Sequence, residues 1–312
     1  MKALITGSEG FVGSYLVSLL HRKKYTVYGT DLLTHQHSAV DFYYKMDITK
    51  PEIVQQILSK IKPNIVIHLA GFSSVSKSFK LPELCHKINV EGTRNLLDAI
   101  VQMENYDIKL IIISSAEVYG IPQIIPISEF HPIGARNPYG ESRILQEKLC
   151  KEYIEKYHLK INIARSFNHT GPNQTETFVL PSFAKQIVQI ENGSQKILNV
   201  GNLSPIRDFL DVRDVVDAYY KLTQLKTFGS TYNICSGKGY SIKYLLQILI
   251  ENAKCEIDVR QDPNRMRPSE INELIGDNSR FKSVSGWEPK YKIEETLLNI
   301  LNQFRLKNSI NE

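Results

Sequence analysis

The sequence predicts an α/β fold: a doubly wound parallel sheet with helices on both faces, joined to a smaller α/β lobe. Three observations carry this. The first half of the chain alternates short β-branched runs with amphipathic segments, the sequence form of parallel strands linked by crossover helices. Its apolar runs, such as Ile65-Val66-Ile67 and Leu110-Ile111-Ile112-Ile113, are nearly continuous rather than alternating, as strands buried on both faces require. After Arg165 the pattern changes to the turn-rich stretch Asn168-His169-Thr170-Gly171-Pro172-Asn173-Gln174 and then to shorter elements.

In chain order, strands are expected at 2–6, 25–30, 64–69, 108–114 and 160–165. Helices are expected between them at 11–22, 50–61, 81–104 and 139–157, with a further amphipathic helix near 178–191. Residues 1–167 are read as the sheet domain, with returning segments near 207–235. Residues 168–206 and 236–312 are read as the second lobe. No linker, repeat or low-complexity segment separates the two, so they are expected to interweave. Lys307 to Glu312 reads as a polar tail.

Composition narrows the class. In 312 residues, 42% hydrophobic and 23% charged, a soluble globular enzyme is expected, and no apolar run approaches the ~20 residues of a membrane span. Met1 to Ile5 is cut short by Gly7, Ser8, Glu9 and Gly10, so it reads as a strand rather than a signal peptide. Cys85, Cys150, Cys235 and Cys255 lie far apart without paired spacing, which points to no metal site, no disulfide framework and a cytoplasmic setting. The net charge of +5 is spread among acidic residues, so no nucleic-acid partner and no membrane partner are expected.

The chemistry-bearing motifs begin at the first strand. Thr6-Gly7-Ser8-Glu9-Gly10-Phe11-Val12-Gly13 runs from that strand into a helix, where glycines let a pyrophosphate approach the N–H groups of Phe11, Val12 and Gly13. Asp31 closes the second strand, where a carboxylate can accept both ribose hydroxyls of NAD and repels the 2′-phosphate of NADP. The expected cofactor is therefore NAD, NADH being preferred and NADPH possible. Asp47-Ile48 follows a third strand and can meet the adenine edge. Leu69-Ala70-Gly71 is small enough for a cofactor to lie against its backbone. Asn89 lies mid-helix, tied to local backbone or ordering a relay water. Ser115 ends an apolar strand, and Tyr139 and Arg143 stand one helical turn apart. A fixed cation beside a phenol favours its ionised form, which makes Tyr139 the candidate acid/base.

With the glycine triplet, Ser115 and the Tyr139 helix, the chain resembles the extended short-chain dehydrogenase/reductase superfamily, in its NAD-dependent epimerase/dehydratase family, over essentially its whole length. That resemblance implies a Rossmann-like fold. Arg165 to Pro172, Gly201-Asn202-Leu203 with Arg207-Asp208-Phe209, Tyr232 to Gly237 and Arg267-Pro268-Ser269-Glu270 are similar to the GDP-4-keto-6-deoxy-D-mannose reductases, which form GDP-D-rhamnose. The likeness implies that Ser115 and Tyr139 hold a C4 ketone oxygen, that Tyr139 supplies the proton, and that NADH delivers hydride. It further implies a GDP-sugar substrate bound by Asn168, Val179, Arg207, Arg267 and Glu270, the asparagine and arginines on the pyrophosphate. Surface polysaccharide is the implied destination.

One position departs from the superfamily. Arg143 stands where a Lys normally lowers the Tyr pKa and bonds the nicotinamide ribose; the charge is kept, but a guanidinium is bulkier and does not relay a proton. Glu117, two residues after Ser115, matches a residue that moves a proton at C5/C6 in related 4,6-dehydratases, so a lyase remains an alternative. A cofactor- and sugar-binding protein impaired by Arg143 is another. A homodimer through a four-helix bundle is also implied, and the helices at 81–104 (Ile88, Leu96, Leu97, Ile100) and 139–157 (Leu145, Leu149, Tyr153) carry apolar residues beyond a single stripe.

Overall fold

The computed structural model describes residues 1–33, 39–266 and 271–310. The chain begins β1 (Lys2–Thr6), α1 (Phe11–Arg22), β2 (Thr26–Asp31), β3 (Phe42–Lys45), α2 (Pro51–Ile61) and β4 (Ile65–His68). It continues through α3 (Val75–Ser78), α4 (Pro82–His86), a π-helical turn (Lys87–Glu91), α5 (Gly92–Gln102), β5 (Lys109–Ser115), a 3-10 turn (Ala116–Tyr119) and α6 (Pro138–Tyr157). Then follow β6 (Lys160–Ser166), β7 (Asn168–Thr170), α7 (Val179–Glu191), β8 (Ile197–Val200), β9 (Ile206–Asp211), α8 (Val212–Gln224) and β10 (Thr231–Ile234). The last elements are β11 (Gly239–Ser241), α9 (Ile242–Glu251), β12 (Asp258–Gln261), a 3-10 turn (Pro263–Arg265), β13 (Glu273–Leu274), α10 (Ser279–Ser285) and α11 (Ile293–Ile310).

Seven parallel strands form the main sheet in the order β10-β6-β5-β4-β1-β2-β3. The continuous apolar runs are explained by the pleat. Ala3 and Ile5 of β1 point into one core, with Leu16, Leu20, Val215 and Leu222 of α1 and α8. Leu4 between them points into the other, with Leu58, Leu97, Ile100 and Leu149 of α2, α5 and α6. Both faces are thus covered, the doubly wound α/β arrangement the sequence predicts. The strand order reverses between β1 and β4, and in open parallel sheets that switch point is where ligands bind.

Two strands of this sheet were not among the five expected. β3 is a partly exposed edge strand, and β10 returns after the second lobe to pair with β6 in parallel. The helix expected at 81–104 is interrupted by the π turn around Asn89, whose extra residue shifts the faces of α4 and α5 relative to each other. β9 lies outside the main sheet, paired antiparallel with β11 and parallel with β7 and β13. A third core, built by α7, α9 and α11 around Phe183, Leu245, Leu249 and Leu297, supports the smaller lobe.

Candidate active site

The loop between β1 and α1 is shaped by steric necessity. Gly7 has φ +75, and a Cβ there would lie 2.8 Å from the Ala70 amide nitrogen. A Cβ on Gly13 would lie 2.5 Å from the Gly7 carbonyl oxygen. These contacts leave only glycine at either position and draw the loop tightly over the N-terminus of α1, a cradle that fits a dinucleotide pyrophosphate. Gly10 precedes α1, whose first N–H groups, those of Phe11, Val12 and Gly13, have no partner earlier in the helix. The Phe11 ring itself stacks on His169, 6.3 Å between centroids, so it offers a ligand its backbone rather than its side chain. Asp31 closes β2, accepting from the Leu32 amide at 2.7 Å and the Glu9 amide at 3.3 Å, which ties it to the glycine loop.

The neighbouring positions differ in what they present. Asp47 accepts from both the amide and hydroxyl of Thr49, holding the turn before α2. Ile48 is buried, and its carbonyl accepts from Asn95. Leu69 packs into the core, and the Ala70 amide donates to the Thr6 hydroxyl. Gly71 lies against Arg143: a Cβ there would come within 2.8 Å of the Nη2 atom.

The residues expected to react lie on β5, the 3-10 turn that follows it, and α6. Ser115 caps the following 3-10 turn by accepting from the Glu117 amide at 3.2 Å, which leaves its proton to be donated elsewhere. Asn137 caps α6 through the Gly140 amide, and Pro138 occupies the first turn, where a missing N–H costs nothing. α6 then packs directly on that turn, because Gly140 lets the helix approach the Glu117 carbonyl. Tyr139 follows Pro138 in the first turn of α6, its amide donating to Ser78 Oγ at 3.2 Å. The Tyr139 hydroxyl has no hydrogen-bond partner among the described residues and is not among the sealed, unpartnered atoms.

Arg143, one turn along, has its guanidinium carbon 5.2 Å from the centre of the Tyr139 ring. Its Nη1 donates to the Ile113 carbonyl at 3.0 Å and to Gln146 Oε1 at 2.9 Å. The Gln146 amide donates to Thr93 Oγ1 at 2.8 Å, and Thr93 gives its own proton to the Asn89 carbonyl. Thr93 must therefore accept from His68 Nε2, which fixes the tautomer and leaves His68 Nδ1 to accept from Thr6 at 2.7 Å.

Burial, and then the Arg143 charge, hold the His68 pKa down to about 3 from an ordinary 6.5. The unfolded chain binds a proton here below about 6.5 that the folded chain refuses until about 3, so stability falls as pH drops through that window. The expected slope is roughly 1.4 kcal/mol per pH unit at its steepest. Urea titrations between pH 6.5 and 5 should show a larger loss for wild type than for His68→Gln; equal losses would refute the assignment.

The Asn89 side chain is held by protein partners. It accepts from the Phe72 amide at 2.8 Å and donates to Ser142 Oγ at 2.8 Å, pinning the loop after β4 to α6. Glu117 accepts from Asn137 Nδ2 at 2.8 Å. Burial lowers the Arg207 pKa, and the charge of Glu117 works in the opposite direction. Arg207 is anchored on the Ile206 and Ile271 carbonyls. Asn168 pairs with Phe209 on the adjacent strand, which puts it on the same sheet face as Arg207. Val179 opens α7 and is exposed. Arg267 and Glu270 lie outside the described residues. Gln146, Thr93 and Asn137 were not singled out in the sequence, although Asn137-Pro138 carries a legible helix-start signal.

The chain has been compared with known proteins. Residues 4–300 match the family described as GDP-mannose 4,6 dehydratase. The chain is 34% identical over 306 residues, 97% of each protein, to a GDP-6-deoxy-D-mannose reductase of Pseudomonas aeruginosa. It is 30% identical over 307 residues, 98% of each, to a GDP-6-deoxy-D-talose 4-dehydrogenase of Aggregatibacter actinomycetemcomitans. Among solved structures, RMD from Pseudomonas aeruginosa complexed with NADPH aligns with a TM-score of 0.86 and 32% identity, covering 98% of this chain and 99% of that one. The chain belongs to the GDP-mannose 4,6-dehydratase family of extended short-chain dehydrogenases/reductases.

Proposed function

We propose that the protein reduces the C4 ketone of a GDP-linked 4-keto-6-deoxy sugar. The observation that carries this reading is the Tyr139 hydroxyl, without a hydrogen-bond partner among the described residues, on a ring covered by Arg143, whose guanidinium is tied to the Ile113 carbonyl of β5, the strand that Ser115 ends. Similarity to the reductase of Pseudomonas aeruginosa over 97% of the chain supports the substrate class. The glycine loop and the N-terminus of α1 would hold a nicotinamide nucleotide, which would supply the hydride. Ser115 and Tyr139 donate to the ketone oxygen, where negative charge develops, and Tyr139 gives up the proton that completes the alcohol. Arg207 and Asn168 bind the pyrophosphate, since a guanidinium fork matches phosphate oxygens. Val179, Arg267 and Glu270 complete the substrate contacts.

The division of labour in this reading gives residues 1–167, with the segments near 207–235, to the nucleotide, and 168–206 with 236–312 to the sugar nucleotide. Asp31 favours NADH, because a carboxylate at that site repels a 2′-phosphate. Asp31→Ser is therefore expected to improve kcat/KM for NADPH relative to NADH by roughly tenfold or more; an unchanged ratio would remove Asp31 as the selector.

The assembly proposed is a homodimer in the cytoplasm. Leu96, Leu97, Ile100, Leu149 and Tyr153 fill the core and are not available to a partner, whereas Leu81 just ahead of α4, Leu84 of α4 and Leu145 of α6 are exposed. Among the described residues no helix is long and apolar enough to cross a membrane, and all four cysteines are free.

Glu117 favours a second reading, since it stands two residues beyond Ser115 and is oriented by Asn137. A lyase would convert GDP-mannose to its 4-keto-6-deoxy product without added nicotinamide nucleotide. A reductase consumes NADH at 340 nm only with the keto sugar present. Product from GDP-mannose alone would overturn the proposal, and absence of NADH oxidation with the keto sugar would leave a binding protein.

A further inference from the structure

From the buried polar chain behind Tyr139 we infer that Gln146 is a positioning residue that fixes the guanidinium of Arg143 for its work on the phenol and the cofactor. The inference rests on the reductase reading for its activity readout and on geometry alone for its binding readout.

Gln146 is fully buried in α6, a helix that also buries Ser142, Arg143 and Glu147. A buried amide needs partners for both its ends, and the two ends here are not interchangeable. Thr93 Oγ1 already spends its single proton on the Asn89 carbonyl, so it can meet Gln146 only as an acceptor. Gln146 must turn its NH₂ group toward Thr93 and its oxygen toward Arg143. The orientation is set from outside the helix, by a chain of bonds that runs through His68 to Thr6. Those two residues end β4 and β1, the strands on either side of the switch point.

The consequence falls on Arg143. Nη1 is held between Gln146 Oε1 and the Ile113 carbonyl, and the buried Nε atom has no partner. With one amino group clamped, the planar guanidinium has little freedom to rotate, and its Nη2 atom stays directed at Gly71. A guanidinium held in this way can stand where a compact ammonium would otherwise be needed, with one edge anchored and the other presented. Gln146 thus acts through Arg143 and touches neither reactant.

The test is a double-substitution cycle of Arg143→Lys and Gln146→Met, the latter matched in length but unable to bond either neighbour. NADH affinity is read by fluorescence, kcat/KM by absorbance at 340 nm, and melting temperature without cofactor. In the wild-type background, Gln146→Met is expected to weaken NADH binding and lower kcat/KM by roughly tenfold. In the Arg143→Lys background the same change should alter either quantity less than twofold, while the shift in melting temperature is similar in both backgrounds. Equal losses in both backgrounds, or no loss in wild type, would overturn the inference. If Gln146→Met does not fold, Gln146→Glu keeps an acceptor for Arg143 and must retain NADH affinity within about threefold, and a larger loss overturns it equally. Wild-type protein that binds NADH but reduces no keto sugar would reject the reductase reading alone and leave the binding cycle to decide this one.

Discussion

Tyr139→Phe is expected to lower turnover about 10²- to 10⁴-fold, the range spanned by the loss of a positioned proton donor. The substitution removes one oxygen and leaves the ring, so the Arg143 guanidinium keeps the aromatic face it covers at 5.2 Å. Among the described residues no hydrogen bond is lost, because the hydroxyl has no partner there. NADH affinity should therefore stay within about threefold of wild type, and the melting temperature should hardly move. Both follow from removing an interaction made only as charge develops on the ketone oxygen. Single-turnover absorbance at 340 nm alongside fluorescence titration separates the two quantities. A variant that keeps most of its turnover would dismiss Tyr139 as the acid, and one that loses binding in proportion would make it a structural residue.

The second large effect is on stability. Glu147 and Arg165 form an ion pair whose side chains are only 2% and 4% exposed, with Nη2 to Oε2 at 2.6 Å and Nε to Oε1 at 2.9 Å. Ser114 donates to the same carboxylate, and Arg165 reaches the Tyr119 hydroxyl at 3.0 Å. Burial works against the charge on Arg165, but its bonds and attraction to Glu147 raise its pKa above the ordinary arginine value. A guanidinium is effectively never deprotonated in a protein, so Arg165 cannot escape by losing its proton when the partner is removed. Glu147→Ala leaves a buried, uncompensated cation and is expected to cost about 3–5 kcal/mol of unfolding free energy. Replacing both residues, as Glu147→Met with Arg165→Met, should recover most of that loss, because the penalty belongs to the orphaned charge. Urea titrations of the single and double variants check this; a double variant as unstable as Glu147→Ala would show that packing rather than charge sets the cost.

What could be read from the sequence was whatever depends on local spacing. The glycine triplet, Asp31 at a strand end, and Tyr139 with Arg143 at one helical turn are short-range patterns whose geometry follows from the elements that bear them. β3 has no range of its own in the sequence and is marked only by the strand expected ahead of Asp47, because an edge strand of exposed and half-exposed residues has no continuous apolar run. α6 misled in another way. Of the apolar residues read as exceeding a single stripe, Leu149 and Tyr153 are buried and only Leu145 is exposed, while the polar Gln146 and Glu147 are buried. Their partners, Thr93 and Arg165, lie 53 and 18 residues away, and nothing near them in the sequence marks the pairing. Asn89 was ambiguous for the same reason, its meaning resting on Phe72 and Ser142.

The π turn at Lys87–Glu91 makes the site depend on residue count as well as residue type. One residue removed from this turn would restore a regular helix without breaking the chain, yet rotate what precedes it against α5 by about 100°. Asn89 would then face away from either Phe72 or Ser142, and a span that looks like a spacer would prove as intolerant of deletion as the glycine loop is of a side chain.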